Sequence, residues 1–170
     1  LITSSAASDV YKRQGDTLTG TYSGVFNNAN VGNGKTVTIT SSYGGADVNN
    51  YTITDQASTT ANVTTKSLTA TASAANKVYD ASNTATTTLT LSGFIGTETV
   101  TSTNSSTFNN KNVGTGKTVT VNSITLADGI NGGLASNYSI ATGQTTTANI
   151  TAKPLSVSGI TTSNKVYDGN

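Results

Sequence analysis

The one titratable pattern that recurs in this sequence of 170 residues is a lysine three positions ahead of an aspartate, in Lys77-Val78-Tyr79-Asp80 and again in Lys165-Val166-Tyr167-Asp168. Such a pair can perform acid/base work, and a lysine beside a serine can activate a hydroxyl nucleophile. The spacing suits a blander role: an aspartate that opens a turn bonds its own backbone, and the lysine three residues earlier meets it at the surface. Ser and Lys are plentiful, so a Ser-Lys nucleophile has no positional signal. The chain has no His and no Cys, which removes the imidazole base, the thiol nucleophile and the soft metal ligands, and with them Ser-His, Cys-His and zinc chemistry. We read no enzyme, no catalytic residue and no cofactor.

Other candidates are weaker. Calcium would draw on Asp47, Asn49 and Asn50, or on Asp128 and Asn131, but a good site needs about 6 to 8 oxygens with several carboxylates. We therefore read these residues as turns and expect no metal. Asn50, Asn62, Asn104, Asn137 and Asn149 each open an Asn-X-Ser/Thr acceptor pattern, which a Thr- and Ser-rich chain also produces by chance. A Lys-Asn isopeptide would need a catalytic carboxylate beside the pair.

The elements that would hold these residues are strands. Val, Ile, Leu and Ala alternate with Thr and Ser, the pattern of half-buried β-structure. Only 10% of residues are charged while 34% are hydrophobic, too little charge for a typical disordered chain. A net charge of +1 argues against nucleic acid, which calls for a basic stripe. No apolar run is long enough to span a bilayer, so we expect no membrane insertion by this segment.

The chain repeats itself. Phe26 to Thr38 returns as Phe108 to Thr120, including Val113-Gly114-Thr115-Gly116-Lys117; Asn50-Tyr51 returns as Asn137-Tyr138; Thr60-Ala61-Asn62-Val63-Thr64 returns as Thr147-Ala148-Asn149-Ile150-Thr151. The spacing grows from 82 positions at Phe26 to 88 at Asn76. A period of about 85 residues exceeds solenoid and propeller units, so each repeat is a small domain in a string. We expect the C-terminal part of one module over 15–66, a complete module over 67–153 and the start of a third over 154–170. Strands are predicted near 67–73, 84–91, 98–103, 117–126, 137–141 and 145–152, with turns at the Asn- and Gly-rich segments. Alternation runs straight through Pro154, which predicts abutting modules and a stiff array. The expected fold is all-β: tandem immunoglobulin-like β-sandwiches in an elongated array, or alternatively β-grasp-like modules, which would carry a helix.

Four motifs in order, Asn164 to Gly169, Phe108 to Thr120, Ser136 to Ile140 and Ala148 to Leu155, resemble the YDG-type repeats of large bacterial surface proteins. Those proteins are often similar to filamentous haemagglutinin and other exported adhesins. The resemblance implies surface display, outer membrane-associated or secreted, as a non-catalytic spacer and adhesive repeat. It implies no known ligand; the tandem repeat makes neighbouring modules of the same chain the expected partners, with a glycan or protein of a host or bacterial surface as a further partner class. One departure is Ala81, where the later copy has Gly169; a positive φ there would cost on the order of 1 kcal/mol.

Comparing the copies sorts residues, since what a scaffold requires must reappear. Lys77, Tyr79, Asp80, Phe108, Gly114, Gly116, Lys117, Tyr138, Tyr167 and Asp168 are read as structural, the tyrosines as half-buried rings with hydroxyls bonded to backbone. Tyr22 and Tyr43 do not reappear and are the residues we nominate for ligand contact, as direct glycan binding. Ser4 to Gln14, which includes Lys12-Arg13, matches no part of the repeat. Aligning Gly15-Asp16-Thr17 with Gly96-Thr97-Glu98 makes residues 1–14 the counterpart of Ser82 to Ile95, which they do not resemble. They are similar instead to one reading frame of the adapter used in transposase-based sequencing libraries, so residues 1–14 are expected to be non-native.

Overall fold

The computed structural model describes Ile2–Thr3 and residues 12–170. Residues 4–11, most of the adapter-like stretch, lie outside the described residues. The strands are β1 (Ile2–Thr3), β2 (Thr19–Phe26), β3 (Gly32–Gly44), β4 (Ser58–Val63), β5 (Lys66–Ala74), β6 (Lys77–Val78), β7 (Thr84–Ala85), β8 (Thr87–Ser92), β9 (Val100–Phe108), β10 (Gly114–Asp128), β11 (Tyr138–Ile140) and β12 (Thr145–Thr151). The helical content among the described residues is two 3₁₀ turns, Val48–Asn50 and Ala135–Asn137. The chain is therefore all-β, with small sheets in tandem repeats, and the helix that the β-grasp alternative needs does not form among the described residues.

Two compact units emerge: residues 1–68, 94–101 and 127–139 in the first, and residues 69–93, 102–126 and 140–170 in the second. The first contains a four-stranded sheet in the order β1-β2-β3-β4. The strands of the later repeat form a five-stranded sheet, β6-β12-β10-β9-β7, and a three-stranded sheet, β11-β5-β8. The pairs β1-β2, β2-β3, β3-β4, β5-β8, β7-β9 and β10-β12 are antiparallel, whereas β6 runs parallel to β12 with Lys77 opposite Ile150.

The core of the second unit follows from alternation. Along β10, Val119 and Val121 are fully buried, while Thr120 between them is only half-buried and Thr118 before them is exposed. Val119 forms one cluster with Phe108, Ala148, Ile150 and Ala85, and Ala74 from the end of β5 and Tyr79 pack against it. Each inward step of two residues keeps the apolar set on one face.

The run expected as one strand over 84–91 is two. Thr84 and Ala85 pair with Thr107 and Ser106 of β9, whereas Thr87 to Ser92 pair with β5, so the chain changes sheets at Thr86. The inward phase continues unbroken, with Ala85 buried and Thr87, Leu89 and Leu91 half-buried, which is why the pattern hides the break. The strand expected at 98–103 runs instead from Val100 through Phe108. Its polar stretch faces inward because Thr87 Oγ1 hydrogen-bonds Asn104 Oδ1 and lies 2.7 Å from Ser106 Oγ, satisfying a serine only 3% exposed.

Candidate functional site

Lys77 lies on the short parallel strand β6, and its side chain turns back over the loop that follows. Four acceptors stand within 3.0 Å of its Nζ: Asp80 Oδ1, the Ser82 carbonyl, the Ser82 hydroxyl and the Thr84 carbonyl. Nζ also sits 5.7 Å from the centroid of the Phe108 ring. With its side chain 18% exposed, Lys77 is the hub of this loop, more enclosed than a surface pair. The geometry brings a serine hydroxyl to a lysine, yet an ammonium committed to a carboxylate and two carbonyls has no lone pair with which to take a proton. The Ser82 hydroxyl donates to Asp80 Oδ1 at 3.0 Å, so this Ser-Lys contact is a loop clamp. Ala81 adopts φ +66°, and its counterpart Gly169 adopts φ +85°.

The Lys77 ammonium, followed by the Ser82 N–H and hydroxyl, lowers the Asp80 carboxyl from 3.8 to about 2. A folded value below the unfolded one means that this contribution is complete above about pH 4 and is lost as pH falls through about 2. Asp80→Asn is therefore expected to lower Tm at neutral pH and to flatten the fall of Tm across that acid window. Circular dichroism melts of both proteins check this. Lys165 and Asp168 form the same pair at 2.8 Å, and Lys165 lowers the Asp168 carboxyl, although Tyr167 between them is 94% exposed whereas Tyr79 packs on the core.

The other motifs satisfy each other's backbone. β10 opens with a bulge between Gly114 and Lys117, and β3 has the same bulge between Gly32 and Lys35. Gly116 adopts φ +59° and Gly34 φ +60°. The Gly116 N–H donates to Asn149 Oδ1 at 2.7 Å, as the Gly34 N–H does to Asn62 Oδ1 at 2.8 Å. Lys117 Nζ donates to Asn110 Oδ1 at 2.6 Å, closing the loop before the bulge. Gly114 meets nothing closer than the flexible Lys117 side chain. Asn149 is thus the bulge cap, and its recurrence as Asn62 was the available signal. The Lys117–Asn110 contact has no carboxylate within ion-pair distance among the described residues, so the isopeptide chemistry lacks its catalyst there.

Tyr138 is buried, and its hydroxyl does two things: it accepts the Ile95 N–H at 3.2 Å and donates to Glu98 Oε2 at 2.6 Å. In the first repeat, the Tyr51 hydroxyl accepts the Arg13 N–H at 2.8 Å and donates to Asp16 Oδ2 at 2.7 Å. The carboxylates push both phenols above 10. The structural register therefore matches Asp16 with Glu98 and Arg13 with Ile95, one position away from the alignment read off Gly15-Asp16-Thr17. Because Arg13 contributes its backbone N–H to this bond, the clamp does not depend on an arginine side chain. Sequence reasoning also passed over Gly129 and Gly133, where an added Cβ would lie 2.1 and 1.9 Å from the Thr99 carbonyl oxygen. They look like ordinary turn glycines in the sequence.

Tyr22 on β2 and Tyr43 on β3 meet edge to face, with centroids 6.0 Å apart, and the Tyr43 hydroxyl donates to Asp55 Oδ1 at 2.6 Å. Tyr22 borders two clefts. One, of about 180 Å³, is rimmed by Thr21, Ser23, Thr40, Ser41 and Ser42. The other, of about 150 Å³, is apolar and lined by Gly24, Val37, Ile39 and Ala61 among others. At the calcium candidates, Asp47 Oδ2 accepts the Thr17 N–H and Asp128 Oδ1 the Ala135 N–H, both at 2.7 Å, as turn residues do. Among the described residues, no three His, Cys, Asp or Glu side chains cluster, and no helix is long and apolar enough to cross a membrane.

Asn137, which opens the Asn-Tyr motif of the later repeat, also touches the earlier one within the first unit. Its Oδ1 accepts the Val31 N–H at 2.9 Å, and its Nδ2 donates to Asn30 Oδ1 at 3.0 Å.

A family model described as the YDG domain matches residues 2–61 and again residues 64–148. No curated protein and no solved structure matches the chain.

Proposed function

This chain belongs to the YDG domain family, and we propose that it is a structural spacer and adhesive repeat region of a large bacterial cell-surface or secreted adhesin, working without catalysis. In this reading residues 15–66, 67–153 and 154–170 are successive modules, residues 1–14 are adapter-derived, and the neighbouring modules are the principal partners. The observation that carries the reading is the Asn137 clamp on Asn30 and Val31, through which one repeat holds the next with side chains that belong to the repeated motifs. The motif polar groups are engaged by backbone and by one another, and the sequence lacks His and Cys altogether, which supports a mechanical role over a chemical one. Surface display, outer membrane-associated or secreted, belongs to the same proposal.

The second reading, direct glycan binding, is favoured by the Tyr22–Tyr43 pair beside a hydroxyl-rimmed cleft, since an aromatic face next to hydroxyl donors suits a sugar. A glycan array probed with the whole chain separates the two. The spacer reading expects no hit, or hits unchanged by Tyr22→Ala and Tyr43→Ala. Hits that both substitutions abolish overturn it in favour of the glycan site.

A further inference from the structure

We propose that Asn131 is a self-modifying site, at which the backbone nitrogen of Gly132 displaces ammonia from the Asn131 carboxamide and an acid is left in its place. Asparagine is followed by glycine at two positions of this chain, Asn33-Gly34 and Asn131-Gly132. Glycine allows such an attack because no Cβ shields its nitrogen and its backbone turns freely. The residue types therefore nominate both positions, and the fold separates them.

Asn33 lies in the β3 bulge between Gly32 and Lys35. The nitrogen that would attack is that of Gly34, and its N–H donates to Asn62 Oδ1 at 2.8 Å. To react, it must leave this acceptor, lose its proton and approach Asn33 Cγ. The cap that shapes the bulge thus holds the nucleophile away, and one net hydrogen bond is worth a factor of up to about 10 in rate. The later repeat has Thr115 before Gly116, which carries no carboxamide, so the same bulge is inert there.

Asn131 and Gly132 form the tip of a hairpin turn closed by the Gly133 N–H, which donates to the Ile130 carbonyl at 3.1 Å. Both tip residues are exposed, at φ +56° and +85°, and left-handed backbone is unfavourable for a residue with a Cβ. Among the described residues, no acceptor meets the Gly132 N–H. The Asn131 side chain is tied through Nδ2, which donates to the Thr97 carbonyl at 3.0 Å. That bond grips the nitrogen that departs and leaves the carboxamide oxygen to water.

The step balances with water alone. The Gly132 nitrogen gives its proton to solvent and bonds to Asn131 Cγ, the carboxamide nitrogen leaves as ammonia, and a succinimide ring results. Water opens the ring at either carbonyl, giving aspartate or isoaspartate. Either product replaces the Nδ2 donor with a carboxylate beside the Thr97 carbonyl, and isoaspartate also adds a carbon to the backbone of the tip. The mark therefore loosens the hairpin that seats Gly133 on the Thr99 carbonyl.

The whole chain, aged in mildly alkaline buffer and mapped by peptide mass spectrometry, tests this. Asn131 is expected to convert up to about 10-fold faster than Asn33 in the folded chain, and the two rates are expected to converge in denaturing urea, where the Asn62 bond is gone. Asn62→Ala, checked for folding by circular dichroism, is expected to speed conversion at Asn33 and leave Asn131 unchanged. Asn131→Asp is expected to unfold at lower urea than the unmodified chain. An Asn131 that keeps its amide overturns the proposal. So do equal rates at the two positions in the folded chain, and so does a ratio that unfolding leaves unchanged. A folded Asn62→Ala chain with Asn33 still slow overturns the protection assigned to Asn62, and an unmoved urea midpoint in Asn131→Asp overturns the loosening.

Discussion

Phe108→Ala is expected to lower the unfolding free energy of the second unit by about 3–5 kcal/mol, the range for deleting a buried aromatic ring. Phe108 is 2% exposed, touches the β10 and β12 residues Val119, Ala148 and Ile150, and lies under the Lys77 ammonium. Removing the ring leaves a cavity lined by strands that pair on both sides, so little can collapse into it. A domain of this size has on the order of 5–15 kcal/mol to lose, and the variant should unfold at markedly lower urea. Phe26→Ala supplies the internal comparison. Its ring is only half-buried, so the same substitution costs less there. Equal losses at the two positions in urea titrations would contradict the burial difference between the repeats.

Gly133→Ala is expected to cost about 3 kcal/mol or more, the upper end of overpacking. Its Cβ would stand 1.9 Å from the Thr99 carbonyl oxygen and 2.7 Å from the Thr99 carbonyl carbon. Both atoms are backbone, so no side chain can swing aside, and the Gly129–Gly133 hairpin must lift from Thr99, at the entry to β9. Lifting it breaks the Thr99 N–H to Ile130 carbonyl bond at 3.3 Å, which ties the hairpin to that strand. Gly116→Ala is the contrasting case: φ is +59° but nothing lies within 4 Å of the added carbon, so the cost is on the order of 1 kcal/mol. Urea midpoints of the two variants should therefore separate clearly. In the earlier repeat, Gly45 combines both constraints, with φ +109° and the Thr17 carbonyl oxygen 2.2 Å away, and its alanine variant should be at least as damaging as Gly133→Ala.

Much of the architecture was legible because alternation and repetition are local, additive signals. The Thr-interleaved runs place β5, β10 and β12 within about three residues of their observed ends, as boundary readings usually do. What escaped is what depends on partners distant in sequence. The break at Thr86 is invisible because both halves of the run keep one inward phase while pairing with different strands. The polar end of β9 looks like loop until Thr87 supplies hydrogen bonds to Asn104 and Ser106.

The same division runs through the candidate site. By itself the sequence determined that the chain is all-β, that it repeats, that it lacks His and Cys, and which polar residues every repeat must keep. Those conclusions rest on residue identity and spacing alone. Only the tertiary structure decided what the kept residues are for. Lys77 clamps a loop because Asp80, Ser82 and Thr84 turn a carboxylate and two carbonyls toward its ammonium, and Asn149 caps the β10 bulge 33 residues upstream. Tyr138 reaches Glu98 from 40 residues away, and Gly133 matters because a carbonyl from Thr99 happens to point at it. Hydrogen bonds and steric contacts act over a few ångströms, and only folding brings such groups within that range.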